Sequence, residues 1–272
     1  MSKSHKLVAG YILSHSEKAA YLTATRLGAA VGISESTVVR FANELGFSGY
    51  PEFQSELQKS LRSKLTAVQR IDVADSLIGA DNIPGSVMVS DMNNIKDSLA
   101  NLDRAAFAAA ADAITAAGNI YIIGKRSSSM LADFMNHYFR YIFDNVHLVG
   151  SNSTSEMFEE IFRIGKDDVL IAISYPRYSK RTKTAAEFAK KRGAKVIALT
   201  DSDRAPITAF ADIKLFAISD MHSFVDSLIA PLSIINALIV ELGRRKRGKV
   251  ESTFVDLEEI WHEYDVYEAP RI

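Results

Sequence analysis

The sequence predicts an all-α helix-turn-helix domain followed by an α/β domain with a doubly wound, five-stranded parallel sheet. Three observations predict it. Residues 1 to about 118 carry helical periodicity with few strand signals, whereas residues 119–240 alternate short β-branched runs with helix-length stretches. Near Gly32, two short apolar-patterned helices meet at a glycine-containing turn.

In chain order the first element is the paired-helix segment from Thr23. Leu27, Ala30 and Val31 face one way on its first helix, Gly32 suits a tight turn, and Ser34 can cap the next helix. On that second helix Val38, Phe41 and Leu45 fall at helical spacing and are expected to bury. Glu35, Ser36, Thr37 and Arg40 are then left on the outer face near the helix start, the end that meets base edges when such a helix enters a major groove, and with the cap residue Ser34 they are the candidate DNA-binding residues. An ordinary helical hairpin within a core fits the pattern as well.

Residues 66–104, with Pro84–Gly85, read as a helical connector, because tracts rich in Ser and Gly are absent. Next come the runs Ile120–Ile123, Val146–Val149, Val169–Ile173, Val196–Leu199 and Ile213–Ile218. Each is short, apolar and followed by helix-length sequence, the rhythm of a parallel sheet covered on both faces. Residues 105–245 are assigned to this domain, and 246–272 to a C-terminal helix and tail in which Trp261 packs against another surface.

Two strand-to-helix turns carry the candidate ligand chemistry. After Gly124 come Arg126, Ser127, Ser128 and Ser129, where hydroxyls and the N–H groups of a helix start can hold an anion. Helix capping by one of the serines is the plainer role. After Ile173 come Ser174, Tyr175, Pro176, Arg177, Tyr178 and Ser179. Ligands of open α/β sheets bind outside the carboxyl ends of strands, so the two turns can share one pocket. Lys125–Arg126 stands where a dinucleotide fingerprint needs its second glycine, and no P-loop motif occurs, so no nucleotide cofactor, and no cofactor of any kind, is expected. His222, Ser223 and Asp226 are expected to open the helix after the fifth strand, either capping it or reaching the pocket. The basic run Arg244, Arg245, Lys246, Arg247 and Lys249 reads as a solvated helix end, with DNA contact the alternative.

Composition bounds the function. The chain of 272 residues is 47% hydrophobic, enough for a sizeable core. A net charge of −1 argues against a uniformly basic coat, yet residues 1–65 hold eight basic and five acidic side chains, which suits a DNA-facing N-terminus. The absence of cysteine removes disulfides, thiolate metal sites and cysteine nucleophiles. No metal site is expected from the spacing of His, Asp and Glu. No stretch approaches the roughly 20 uncharged apolar residues that cross a bilayer, so a cytoplasmic protein with no membrane partner is expected.

Residues 1 to about 65 resemble the N-terminal domain of the RpiR family of transcriptional regulators. Ser34, Thr37, Val38, Arg40, Phe41, Leu45, Gly46, Phe47 and Gly49 carry the resemblance. Residues 105–245 resemble the sugar-isomerase (SIS) domain that these regulators carry behind the helix-turn-helix. The resemblance implies that Arg40, Ser36 and Thr37 touch a double-stranded DNA operator. It also places Ser128, Ser174 and Ser179 at hydroxyl positions that hold a sugar phosphate. Pro176 departs from the family serine, Arg126 and Arg177 stand where the family has glycine, and Arg181 stands where many members have glutamate. Two guanidiniums suit an anion, so a small sugar phosphate or sugar acid is the expected ligand. A homodimer or homotetramer is expected, since one helix-turn-helix makes too little specific contact. The expected function is a ligand-sensing regulator that is not an enzyme. A phosphosugar isomerase with an accessory helical domain is the alternative, and a pure interaction module a third.

Overall fold

A computed structural model describes residues 1–61, 65–71 and 82–268, apart from the Lys59 side chain. The chain divides into two compact units, Met1–Val87 with Met221–Asp226, and Met88–Asp220 with Ser227–Ile272.

The first unit contains α1 (Lys3–Ser14), α2 (Ser16–Ala19), α3 (Ala24–Val31), α4 (Glu35–Glu44) and α5 (Tyr50–Leu61). Thr23 caps α3 by accepting from the Arg26 N–H at 3.2 Å, and Gly32 closes it at φ 73°, the left-handed conformation foreseen for the turn. Val8, Leu27, Val38, Phe41 and Phe53 share one core, with Phe41 and Phe53 edge to face at 5.8 Å. Tyr50 donates its hydroxyl to the Leu22 carbonyl at 2.6 Å, and burial pushes its pKa up to about 12.

Two expectations for burial fail here. Ala30 lies on the exposed side of α3, and Leu45 is 48% exposed. Leu45 is the C-cap of α4, at φ −82° and ψ 1°, so it leaves the helical path; the buried face is completed by Ala42 instead.

The second unit is built on β1 (Ile120–Gly124), β2 (Val146–Leu148), β3 (Val169–Ile173), β4 (Lys195–Thr200) and β5 (Ile213–Phe216). All neighbours are parallel, in the order β2-β1-β3-β4-β5. The sheet matches the five strands read from the sequence. Its helices are α6 (Ile83–Ala100, from Met88 onward), α7 (Arg104–Ala116), α8 (Ser127–Phe139), α9 (Thr154–Ile161), α10 (Lys180–Lys191), α11 (Ile229–Arg245) and α12 (Arg247–Glu263).

Strand alternation explains why both faces are apolar. Val169, Ile171 and Ile173 join a core with residues of α7, α8 and α11, while Leu170 and Ala172 join a second core with α9 and α10. Asp103 caps α7, accepting from the Ala105 and Ala106 N–H groups at 2.9 Å each. Phe254 of α12 meets Tyr141 at 5.1 Å, and Trp261 packs edge to face with Tyr267.

The segment after β5 differs from expectation. The helix starts at Ile229, not near His222, and its N-cap is Leu228. Residues 221–226 instead form a short antiparallel bridge between Met221 and Asp226 and belong to the first unit. There Asp226 accepts from Arg70 Nη1 at 2.9 and 3.0 Å, in a pair whose side chains are 10% and 1% exposed. Pairing with a buried guanidinium outweighs helix capping for this carboxylate, because an unpaired buried charge is costly.

Candidate DNA-reading surface and candidate ligand site

The exposed start of α4 is a chain of hydroxyls closed by a guanidinium. Ser34 sits at the N-cap, but its hydroxyl bonds the side chains of Ser36 and Thr37, each at 2.9 Å, and no backbone N–H. Arg40 folds back, donating to the Thr37 hydroxyl and the Ser36 carbonyl at 3.3 Å each. The foreseen cap is thus replaced by a side-chain network. Glu35 accepts from Thr25 of α3 at 2.7 Å and so pins the two helices of the motif together.

In the second unit the two Ser/Arg turns follow neighbouring strands. Gly124 of β1 pairs with Ile173 of β3, and these strands flank the point where the sheet order reverses. Arg126 is the N-cap of α8, at φ 60° and ψ −132°, and no side chain caps this helix. The expected capping by one serine is therefore absent: Ser129 donates its hydroxyl back to the Arg126 carbonyl at 2.7 Å, Ser127 is exposed and Ser128 is 4% exposed. Lys125, buried beside them, donates to the Val149 and Ser151 carbonyls, and burial pulls its pKa below the usual lysine range. It ties the turn after β2 to the end of β1.

The second turn is closed by its own hydroxyls. Ser174 Oγ accepts from the Ser179 N–H at 3.3 Å, and Ser179 caps α10 by accepting from the Thr182 N–H at 3.3 Å. Arg177 is exposed and holds φ 62°. Both arginines thus hold a backbone that glycine adopts freely, at a cost on the order of 1–3 kcal/mol each. Tyr175, which follows Ser174, is 3% exposed and packs in the sheet core, and burial raises its pKa well above the ordinary value.

Some members of the site were missed from sequence. Asp201, just beyond β4, accepts from the Tyr178 hydroxyl at 2.9 Å, and Thr182 is fully buried with its own hydroxyl unpartnered. Asp201 carries no local signal beyond following a strand. The run from Arg244 to Lys249 is only partly the helix end expected: Arg244 and Arg245 lie in the last turn of α11, whereas Arg247 and Lys249 open α12, and Arg245 pairs with Asp112 and Glu241, Arg247 with Glu251, and Lys249 with Asp144.

A helix-turn-helix unit in one chain with an open parallel sheet, its strand ends rich in hydroxyl and guanidinium groups, defines a DNA-binding regulator with a sugar-isomerase-type domain. Residues 1–64 match the helix-turn-helix domain of the rpiR family, and residues 113–241 match the SIS domain. The chain belongs to the RpiR family of helix-turn-helix transcriptional regulators. It is 27% identical over 265 residues to the transcriptional regulator HexR of Escherichia coli K12, covering 95% of this chain and 89% of that protein. Among solved structures, the sugar isomerase domain of the RpiR transcription factor from Sphaerobacter thermophilus superposes with a TM-score of 0.63 at 23% identity, over 66% of this chain and 99% of that one. The Vibrio vulnificus NanR protein complexed with ManNAc-6P gives a TM-score of 0.59 at 22% identity, over 97% and 94%. Among the described residues no helix is long and apolar enough to cross a membrane.

Proposed function

We propose that the second unit binds a small anionic metabolite, a sugar phosphate or sugar acid, and that this binding alters operator occupancy by the helix-turn-helix. The observation that carries the reading is the neighbouring of two hydroxyl-rich turns at the β1–β3 switch point, each holding an exposed arginine in a glycine-like backbone. Ser128, Ser174 and Ser179 supply hydroxyls, Ser127 and Ser129 flank the α8 start, and Arg126 and Arg177 neutralise the anion. The likeness to a protein complexed with ManNAc-6P supports the phosphosugar class. Strain kept at two positions is explained when the guanidinium is needed.

The test is a titration of candidate sugar phosphates and sugar acids against the protein–operator complex. Ser128→Ala should weaken the effective ligand by about 1.5–3 kcal/mol, the range for a hydrogen bond to a charged partner. Arg177→Gly should do the same while raising thermal stability by roughly 0.5–1 kcal/mol, since the left-handed strain is relieved. Effector responses matching the parent in both variants would remove these turns from the ligand site.

The same reading places Ser34, Glu35, Ser36, Thr37 and Arg40 at the operator, with the protein acting as a cytoplasmic homodimer or homotetramer. Met88, Met92, Ile95 and Leu99 make one apolar stripe along α6, with Met88 66%, Met92 67% and Leu99 62% exposed, and this exposed stripe supports oligomerisation. Arg40→Ala should cost operator binding about 1–3 kcal/mol if the guanidinium reads a base. Affinity should also fall steeply with salt as counterions are released. Parent-like binding by Arg40→Ala across several salt concentrations would mean that α4 is not the recognition helix.

The competing reading is a phosphosugar isomerase with an accessory helical domain. It needs a positioned general base, whereas the two turns offer hydroxyls and cations. Turnover of a sugar phosphate above the uncatalysed rate would sink the non-enzymatic reading.

A further inference from the structure

Besides the Thr182 hydroxyl, three buried side-chain polar atoms in the second unit have no hydrogen-bond partner among the described residues: Asn94 Nδ2, the Tyr175 hydroxyl and Ser219 Oγ. They are 2%, 3% and 0% exposed. Buried polar atoms are nearly always paired, because desolvating one without a partner costs free energy. Three in one region call for an absent partner.

Hydrogen bonds trace how these residues come together. Thr200 Oγ1 donates to the Ser174 carbonyl at 2.6 Å, the Ala217 N–H donates to the Thr200 carbonyl at 2.9 Å, and the Ile218 N–H donates to Ser98 Oγ at 2.8 Å. That line runs from the end of β3, across β4, past β5, to α6. Tyr175 follows Ser174, Ser219 follows Ile218, and Asn94 lies one helical turn before Ser98 on the same face of α6. Tyr175 also lies in the core with Leu215 and Ala217, on the sheet face that α8 covers. The three residues therefore collect at the carboxyl edge of the sheet, next to the turn that holds Ser174 and Ser179.

We infer that Asn94, Tyr175 and Ser219 form a neutral polar subsite that takes the hydroxyl-bearing part of the effector, while the Ser/Arg turns take its anion. This rests on the anion site proposed above. The chemistry of the set favours an uncharged, oxygen-rich group: an amide N–H donor and two hydroxyls match sugar hydroxyl and carbonyl oxygens, and none carries charge. Burial keeps the Tyr175 hydroxyl protonated and so able to donate. Because the three side chains are buried from solvent, admission of the sugar moves α6 or the segment after β5, which links occupancy to conformation.

The test measures binding to the full-length protein of a panel of hexose, pentose and sugar-acid phosphates, with inorganic phosphate as the anion-only reference. The parent should bind its best phosphosugar at least tenfold more tightly than phosphate. Tyr175→Phe and Ser219→Ala should each cut that preference by about three- to tenfold, the effect of losing one neutral hydrogen bond, with little change in phosphate affinity. Ser128→Ala should weaken both ligands. Thermal midpoints separate ligand loss from damage: Tyr175→Phe removes a hydroxyl without a partner, so its midpoint should match or exceed the parent's. Phosphosugar binding by Tyr175→Phe and Ser219→Ala equal to the parent's, with Ser128→Ala still impaired, overturns the subsite and leaves the anion site standing. A parent that binds no anion, or binds phosphosugar no better than phosphate, also overturns it; in the first case the anion site falls too.

Discussion

Replacing Asp226 with Ala should destabilise the first unit by about 3–5 kcal/mol, the usual cost of removing one partner of a buried ion pair. Arg70 is 1% exposed and donates to both Asp226 oxygens, so the variant takes a charged acceptor away from a guanidinium that is shielded from water. Asp226→Asn, which keeps an acceptor, should cost less, and the double variant Arg70→Met, Asp226→Leu should recover most of the loss by replacing charge with packing. Hydrogen exchange offers the local readout. Amides of α1, α3, α4 and α5 should exchange faster in Asp226→Ala, whereas those of β1, β3 and β4 should keep their protection. Unchanged exchange in the first unit would mean that this pair contributes nothing to its stability. The result matters because Asp226 comes from sequence lying between β5 and α11, so the fold of the DNA-binding unit is completed by a late segment of the chain.

Gly124→Ala should be nearly as damaging, by about 3 kcal/mol, at the upper end of the range for overpacking. A Cβ there would lie 2.2 Å from the Ser128 carbonyl oxygen and 2.8 Å from its carbon, and these backbone atoms cannot swing aside as a side chain would. Relief requires α8 to move off β1, which displaces Ser127, Ser128 and Ser129 together. A lowered thermal midpoint and loss of effector response are expected in the same variant. Full stability with a normal response would show that the close approach of strand and helix is dispensable. The glycine is thus required for space, in contrast to Gly32, where φ 73° makes it a matter of backbone conformation.

Much of this was legible because it is local or periodic. Five β-branched runs announced five strands, since a parallel sheet covered on both faces needs strands that are apolar throughout. Gly32 announced its turn, and the spacing of Val38 and Phe41 announced the buried face of α4. The ends of elements were less legible. Leu45 fits the helical period yet is exposed, because the helix stops one residue before it and periodicity carries no information about where a helix ends. Ser34 stands at a cap position, but its hydroxyl chose two neighbouring hydroxyls over a backbone N–H. The three serines after Arg126 look like caps in sequence and cap nothing, because the turn there is set by the arginine's own left-handed backbone.

The sequence by itself determined the two-part organisation, the strand count and the two turns rich in serine and arginine, all of which follow from short-range composition and periodicity. Only the tertiary structure decided that Arg70 meets Asp226, 156 residues away, and that Asn94, Tyr175 and Ser219 bury polar atoms with no partner among the described residues. The physical reason is that burial and pairing of polar groups depend on which distant segments share a low-dielectric space. Strand order and crossover set that, and no local pattern encodes it.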